Sequence, residues 1–272
     1  MDVDKISFTG SPEVGRTIMQ LSSSNITKVT LERGGKSPNI VFDDADLNDA
    51  VSGSMTGIFF NAGQVCIAGS RLFIQDGIYD EFMEQIIRRT KNIKVGHPLD
   101  WDSRMGAISS KDQMETIMKY IEIGKKEAKL ACGGNRISKG SMGKGNFIEP
   151  TIFTDVTPDM TIFKEEIFGP VLAVIRFSTE EEVIPMANDS IFGLASGVWT
   201  KDLKRAFRVI HALKAGTVWV NNYSMLTPQT THGGYKQSGF GKDLGKYALE
   251  GYTQIKNVYL DTRIGELIAV FE

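Results

Sequence analysis

The 272-residue sequence predicts an α/β fold: an open, twisted, mainly parallel sheet flanked by helices. Three observations carry that expectation. Strand-like and helix-like segments alternate along the chain. The run 171–220 reads strand, helix, strand, helix, strand. Hydrophobic residues make up 41% and charged residues 24%, with no repeat or low-complexity tract, as in a chain that packs a core. The same composition excludes some function classes. With 31 basic and 33 acidic residues the net charge is −2, which argues against a nucleic-acid partner. No apolar run approaches the ~20 residues of a membrane span. The first residues show no apolar signal region, so a cytoplasmic location is expected. Two cysteines, Cys66 and Cys132, are too few for a disulfide scaffold or a structural zinc site.

Taken in order, residues 5–8 read as a short strand. Ser11 then suits an N-cap and Pro12 a first helical position, in a helix reaching about Ser23. Residues 25–31 read as a second strand. A strand, a Gly-Ser turn and a helix N-terminus form an anion site through free backbone N–H groups. One such unit makes no stable sheet. Either it pairs with sheet from elsewhere or an upstream domain is missing. Residues 46–60 read as a helix whose acidic start, Asp43, Asp44 and Asp46, suits capping rather than a metal cluster. Residues 78–95 read as an amphipathic helix. In 109–130, Met114, Ile117, Met118 and Ile121 fall at helical spacing and form a core stripe. Val171–Phe177 reads as a buried strand, and Ser178 as the cap of a helix opening on Thr179 and three glutamates. Residues 194–200 read as a strand and 202–213 as a basic amphipathic helix closed by Gly216. Residues 217–220 form the third strand of this run. The three strands are expected side by side, joined by right-handed crossovers. Residues 251–261 read as a late strand.

Three constellations carry candidate chemistry. In 29–38, Glu32 ends an apolar strand before Gly34-Gly35, where open α/β sheets bind ligands. A partly desolvated carboxylate there suits a general base, unless it is a surface glutamate before a turn. In 59–71, Cys66 lies in a small-residue turn at a helix end. A thiolate nucleophile needs such semi-exposed, electropositive surroundings, and the alternative is a buried inert thiol. Cys132 lies in a strand-like stretch and reads as structural. In 163–171, two acids and an aromatic precede a Gly-Pro turn, suited to a ribose and a flat ring or to an ordinary turn. His97, His211 and His232 are isolated, so no metal site is expected. There is no G-x-S-x-G, no Walker A loop and no G-x-G-x-x-G after a strand.

Together these segments closely resemble the aldehyde dehydrogenase superfamily, in its NAD(P)-dependent, non-acylating branch. The matching stretches are Phe8-Thr-Gly-Ser-Pro-Glu-Val-Gly15, Leu31-Glu-Arg-Gly-Gly-Lys-Ser-Pro38, Asn61-Ala-Gly-Gln-Val-Cys66, Glu165-Glu-Ile-Phe-Gly-Pro170 and His232-Gly-Gly-Tyr-Lys-Gln-Ser-Gly239. They occur in the family's order and span residues 3 to 262. The resemblance implies that Cys66 attacks an aldehyde to give a thiohemiacetal and then a thioester. It implies that Glu32 activates the hydrolytic water. It assigns Glu166 to the nicotinamide ribose of NAD or NADP, Phe168 to the ring beside it, and Gly10 and Ser11 to the pyrophosphate. Ile67, Leu226 and His232 would shape the aldehyde entrance.

The implied organisation follows the same resemblance. Residues 1–32 would be the last βα piece of a dinucleotide-binding domain and 33–222 the catalytic domain. Residues 223–249 would return to the cofactor side, 250–262 would be an oligomerisation strand, and 263–272 a tail whose 264–271 stretch is apolar. Dimers or tetramers would follow. The family's upstream segment is absent from this sequence, and with it an oxyanion-hole asparagine and an adenosine-ribose lysine. A missing N-terminal chain is one implied partner. Arg33 departs from the small or apolar residue usual in the family, and either crowds the nicotinamide or turns away. Two other readings stay open: a catalytically silent fragment kept for binding or assembly, and cofactor-independent ester hydrolysis by Cys66 and Glu32.

Overall fold

The structure, a computed structural model, describes residues 3–262 and Gly265. Apart from Gly265, the 263–272 tail lies outside the described residues. The chain opens with β1 (Lys5–Gly10), α1 (Pro12–Ser23), β2 (Lys28–Arg33) and β3 (Pro38–Val41). Then come α2 (Leu47–Phe59), β4 (Arg71–Gln75), α3 (Tyr79–Lys91) and α4 (Lys111–Glu127). β5 (Lys129–Cys132), β6 (Thr151–Thr154), α5 (Thr161–Lys164) and β7 (Val171–Phe177) follow. The next run is α6 (Glu180–Asn188), β8 (Phe192–Gly193), β9 (Ala195–Trp199), α7 (Leu203–Ala212) and β10 (Thr217–Val220). β11 (Tyr235–Lys236), β12 (Gly239–Phe240) and α8 (Gly245–Glu250) complete the regular structure of the described residues.

Local chemistry sets the helix starts. Ser11, Asp46, Ser110 and Asp202 each accept a backbone N–H of the first turn, which satisfies donors the helix cannot pair itself. The α6 cap is Thr179, not Ser178. Thr179 Oγ1 accepts the Glu182 N–H, and the Glu182 carboxylate reaches back to the Ser178 N–H, a reciprocal box that Ser178 has no place to form. The acidic run before α2 is also spoken for. Asp46 caps the helix, and Asp44 accepts from Thr200 and Arg205.

Seven strands form the main sheet in the order β10-β9-β3-β4-β7-β6-β5, all neighbours parallel except β5 with β6. This corrects the expected adjacency of the 171–220 strands. β9 and β10 are neighbours, but β3 and β4 separate β7 from β9. Two short strands formed earlier in the chain, and unmarked by strong periodicity, occupy the centre. The 25–31 strand also starts later, at Lys28, because Ile26 sits in the left-handed region inside a turn. Both faces of the sheet are covered, with Phe42 edge-on to Phe177 and Phe73 edge-on to Phe163 in the core. The predicted α4 stripe lies there too, with Met114, Ile117 and Ile121 buried and Met118 half-buried.

A second, three-stranded sheet runs β1-β2-β12. The first βαβ unit therefore finds its third strand in Gly239–Phe240, antiparallel to β2. The 251–261 segment pairs as no strand among the described residues, unlike the expected late strand. Among the described residues no ladder reaches it, and its residues are exposed apart from Gly251. Among the described residues no helix is long and apolar enough to cross a membrane.

Candidate active site

β1 and β2 run parallel, so Thr9–Gly10 and Glu32–Arg33 come side by side at their carboxyl ends. Facing them are the turns that lead into β3, β4 and β7, which carry Gly34–Gly35, Cys66 and Glu166–Phe168. Between the two sheets lies a cavity of about 420 Å³. Gly10, Ser11, Arg33, Cys66, Glu166 and Phe168 line it, with Gln113 and Tyr120 from α4. Six of the residues singled out in the sequence, from four separate stretches, thus share one space.

Cys66 sits in a turn three residues after the 3-10 segment Phe60–Gly63 that unwinds the end of α2. Asn61, Ala62 and Gly63 all take left-handed backbone, and Gly63 abuts the Gly169 carbonyl so closely that a side chain would collide. Cys66 is half-buried, as expected of a nucleophile. Its electrostatics differ from the expectation. Burial first, then the negative charge of Glu32, pushes the thiol up from its ordinary value, and Glu166 adds to this. The backbone N–H groups of Ile67 and Cys66 point at the sulfur and act in the opposite direction. The formal charges that act on the thiol are the carboxylates of Glu32 and Glu166, the opposite of the expected electropositive surroundings.

Glu166 packs its carboxylate over Gly34, where any side chain would clash, and Oε1 accepts the Gly35 N–H at 2.9 Å. Burial raises its pKa. Phe168 has left-handed backbone at φ 53°, rare for an aromatic residue, and its ring is exposed. Gln113 holds that turn by donating to the carbonyls of both Ile167 and Phe168 at 3.0 Å. Tyr120 donates to Glu165, and burial pushes its phenol up to about 12.

Ser11 caps α1 through Val14, with Pro12 at the first turn, and Gly10 has the Phe8 ring packed where a side chain would stand. Arg33 is buried. It lies over Gly15, donates weakly to the Pro12 carbonyl at 3.4 Å, and borders the cavity. The question left by its sequence is settled in part: the guanidinium turns toward α1, which the absence of a side chain at Gly15 permits.

Glu32 does not line this cavity but lies just behind it, buried at 8% exposure. Burial first, with the Asp243 charge adding and Lys242 opposing, pushes its carboxyl up to about 7. His232 faces it at 3.8 Å and is itself buried, so it stands beside the base candidate rather than at an open mouth. Ile67 is buried, and Leu226 is 40% exposed.

Four positioning residues escaped the sequence reading. Ser238, fully buried, donates to the Gly34 carbonyl at 2.7 Å and accepts the Gly193 N–H, and its carbonyl accepts the Arg33 N–H. Gly233 leaves the room that Glu32 Oε1 occupies. Tyr223 donates to the Ile67 carbonyl at 2.9 Å, its ring laid against Gly57, Gly69 and Gly197. Arg71, 1% exposed, donates to the carbonyls of Lys36, Met186, Ala187 and Asp189, tying the turn after Glu32 to the end of α6. Lys36 beside it has a buried Nζ with no hydrogen-bond partner among the described residues. Burial first, then the Arg71 charge, pulls its pKa down to about 7. The Gly233-Gly234 pair and Ser238 were visible inside a quoted motif, and paired glycines before a serine were the available signal.

Residues 1–258 match the model of the aldehyde dehydrogenase family. An aldehyde dehydrogenase of Emericella nidulans is 53% identical over 270 residues, covering 98% of this chain and 53% of that protein. A betaine aldehyde dehydrogenase of Bacillus subtilis is 50% identical over 263 residues, covering 96% and 54%. The solved structure of a Staphylococcus aureus betaine aldehyde dehydrogenase in complex with NAD+ superposes with TM-score 0.95 at 45% identity, covering 99% of this chain and 54% of that one. The chain spans about half the length of the curated relatives it matches. It belongs to the aldehyde dehydrogenase family.

Proposed function

We propose that this chain carries the machinery for oxidising an aldehyde to a carboxylic acid with NAD+ or NADP+. One observation carries the reading. Cys66 opens onto the same cavity as the Gly10–Ser11 helix start and the Glu166–Phe168 turn, with Glu32 near enough for its charge to act on the thiol.

The steps follow from those residues. The Cys66 thiol releases its proton to solvent as its sulfur adds to the aldehyde carbon, and the carbonyl oxygen takes the electron pair. The Cys66 backbone N–H meets that oxyanion. When bound, the oxidised nicotinamide supplies a hydride acceptor and a positive charge that offsets the two carboxylates around the thiol. Loss of hydride leaves a thioester on Cys66, whose carbon stays open to water. Glu32, with its carboxyl near 7, takes a proton from that water at neutral pH. The acid then leaves and the thiol returns. The fit of the cofactor's nicotinamide half is argued from the cavity itself. Glu166 keeps one oxygen free of Gly35 for a ribose hydroxyl, Phe168 offers an exposed ring face, and the α1 start at Ser11 offers backbone N–H groups to a pyrophosphate.

In the same reading, 1–32 and 223–249 belong together on the cofactor side, supported by the shared β1-β2-β12 sheet. Residues 250–262 are a self-pairing segment, supported by the exposed Ile255, Val258, Tyr259 and Leu260. Both cysteines are free, which suits a cytoplasmic location.

The test is NADH formation by the purified chain with propanal, beside Cys66→Ala. Signal that vanishes in the variant supports the reading. Cys66-dependent hydrolysis of p-nitrophenyl acetate without any NADH would reduce it to cofactor-independent ester hydrolysis. Absence of both in a folded sample would leave only a binding or assembly role.

A further inference from the structure

Glu32 Oε2 is buried and has no hydrogen-bond partner among the described residues. A carboxylate oxygen in that state normally finds a donor. The side chain that faces it is His232, whose Nε2 lies 3.8 Å away, with the two side chains 11% and 10% exposed. That separation is too long for a hydrogen bond, and less than an ångström of carboxylate rotation closes it. The far side of the ring is also engaged. Nδ1 lies 3.4 Å from the Thr217 hydroxyl at the start of β10. The ring's root is fixed, because His232 and Asp243 exchange backbone hydrogen bonds of 2.7 and 2.8 Å. His232 therefore spans the gap between a strand of the main sheet and the carboxylate on the smaller one.

Burial lowers the His232 pKa, so the ring is neutral at neutral pH and carries one N–H. Thr217 can donate to Nδ1, which leaves that N–H on Nε2, aimed at Glu32. The other charged groups here are known. Asp243 raises the carboxyl, and Lys242 lowers it. The Lys242 ammonium is occupied by the Gly233 and Gly234 carbonyls. Cys66 meets Glu32 only through the field between them.

We propose that His232 is a positioning residue for Glu32: its Nε2–H donates to Oε2 and fixes the carboxylate in the orientation from which it serves as base. This rests on the reading of Glu32 as the base. The donated bond stabilises the ionised form, opposing burial and Asp243. It keeps the base ionisable at neutral pH, and Thr217 selects the tautomer.

Two measurements on the full chain test this. The first is the imidazole nitrogen spectrum of the unmutated protein, which has three histidines. The Nε2–H tautomer is expected at His232, and an Nδ1–H tautomer overturns the proposal. The second is the titration of the Glu32 carboxyl carbon, assigned by its loss in Glu32→Gln. His232→Phe should raise the midpoint by about one pH unit, and His232→Gln, which restores a donor, should return most of it. An unmoved midpoint in His232→Phe, or equal shifts in both variants, overturns the donor role. Single-turnover deacylation of acetyl-Cys66 separates the two readings. If Glu32→Gln leaves deacylation unchanged, the base assignment fails whatever the titration shows. If deacylation needs Glu32 but its acid limb ignores His232, the positioning assignment fails.

Discussion

In the seven-stranded sheet, β3, β6 and β9 are buried at every position and β7 at six of seven. In the three-stranded sheet, β1 has no buried position, and only the last half of β2 is covered. The cavity is walled by both. Cys66, Glu166 and Phe168 rest on turns rooted in a dry core. Gly10, Ser11 and Glu32 sit on a small layer held in place by individual hydrogen bonds, above all those of Ser238. One wall is stabilised by apolar burial, which is spread over many residues. The other depends on a few stitches, each of which can be cut separately.

Phe73→Ala, in the centre of the main sheet, should cost about 3–5 kcal/mol in urea unfolding. Phe8→Ala, on half-buried β1, should cost under about 1 kcal/mol. Comparable losses would break the contrast. Ser238→Ala comes next, at about 2 kcal/mol for two buried bonds lost. Its effect should be local, with faster hydrogen exchange at Arg33 and Gly193 and little change in β4 or β7. Uniform acceleration across the chain would instead make the two sheets one cooperative layer.

Titration offers a gentler cut. The Glu32 carboxyl lies at about 7 in the fold and 4.5 outside it, so the folded chain holds an extra proton between those values. Its contribution therefore weakens folding as pH rises from 4.5 to 7, by about 2 kcal/mol after solvent screening, and Glu32→Gln should flatten that slope. Lys36 acts in the reverse sense. Its amine lies at about 7 folded and 10.5 unfolded, so stability should rise with pH between them, and Lys36→Met should remove the rise. Slopes unaltered in both variants would show that neither group is desolvated. The smallest effect is chemical. Iodoacetamide should modify Cys66, which opens on the cavity, several-fold faster than buried Cys132, and Cys132→Ser should shift stability by under about 1 kcal/mol. Faster reaction at Cys132 would count against Cys66 as the accessible thiol.

How far the sequence could be read follows from the range of each interaction. Val171–Phe177 and the caps at Ser11, Asp46 and Asp202 depend on neighbours within four residues, and their patterns are plain in the chain. β3 and β4 are four and five residues long and follow glycine-rich turns, so periodicity had little to act on. Their central placement is set by partners far away, which is why the order of the 171–220 strands came out differently. Glu32 and Cys66 were found through short motifs that resemble a family. Arg71 and Tyr223 were not, because all their side-chain partners but Lys36 lie 115 or more residues distant, and Lys36 is itself 35 residues from Arg71. The carboxylate field around Cys66 was hidden for the same reason, since Glu32, Cys66 and Glu166 come together only in space.

Tyr223 couples two design problems that look separate. Its ring cannot retreat, because Gly57, Gly69 and Gly197 already give it all the room a missing side chain can give. Its hydroxyl is fastened to the carbonyl of the residue after Cys66. Anyone regrafting the loop around Leu226 to admit a different molecule would be pulling on the same peptide that aims the thiol. Tolerant insertion points should therefore begin after Met225, whose carbonyl is the last in this stretch held by Trp219.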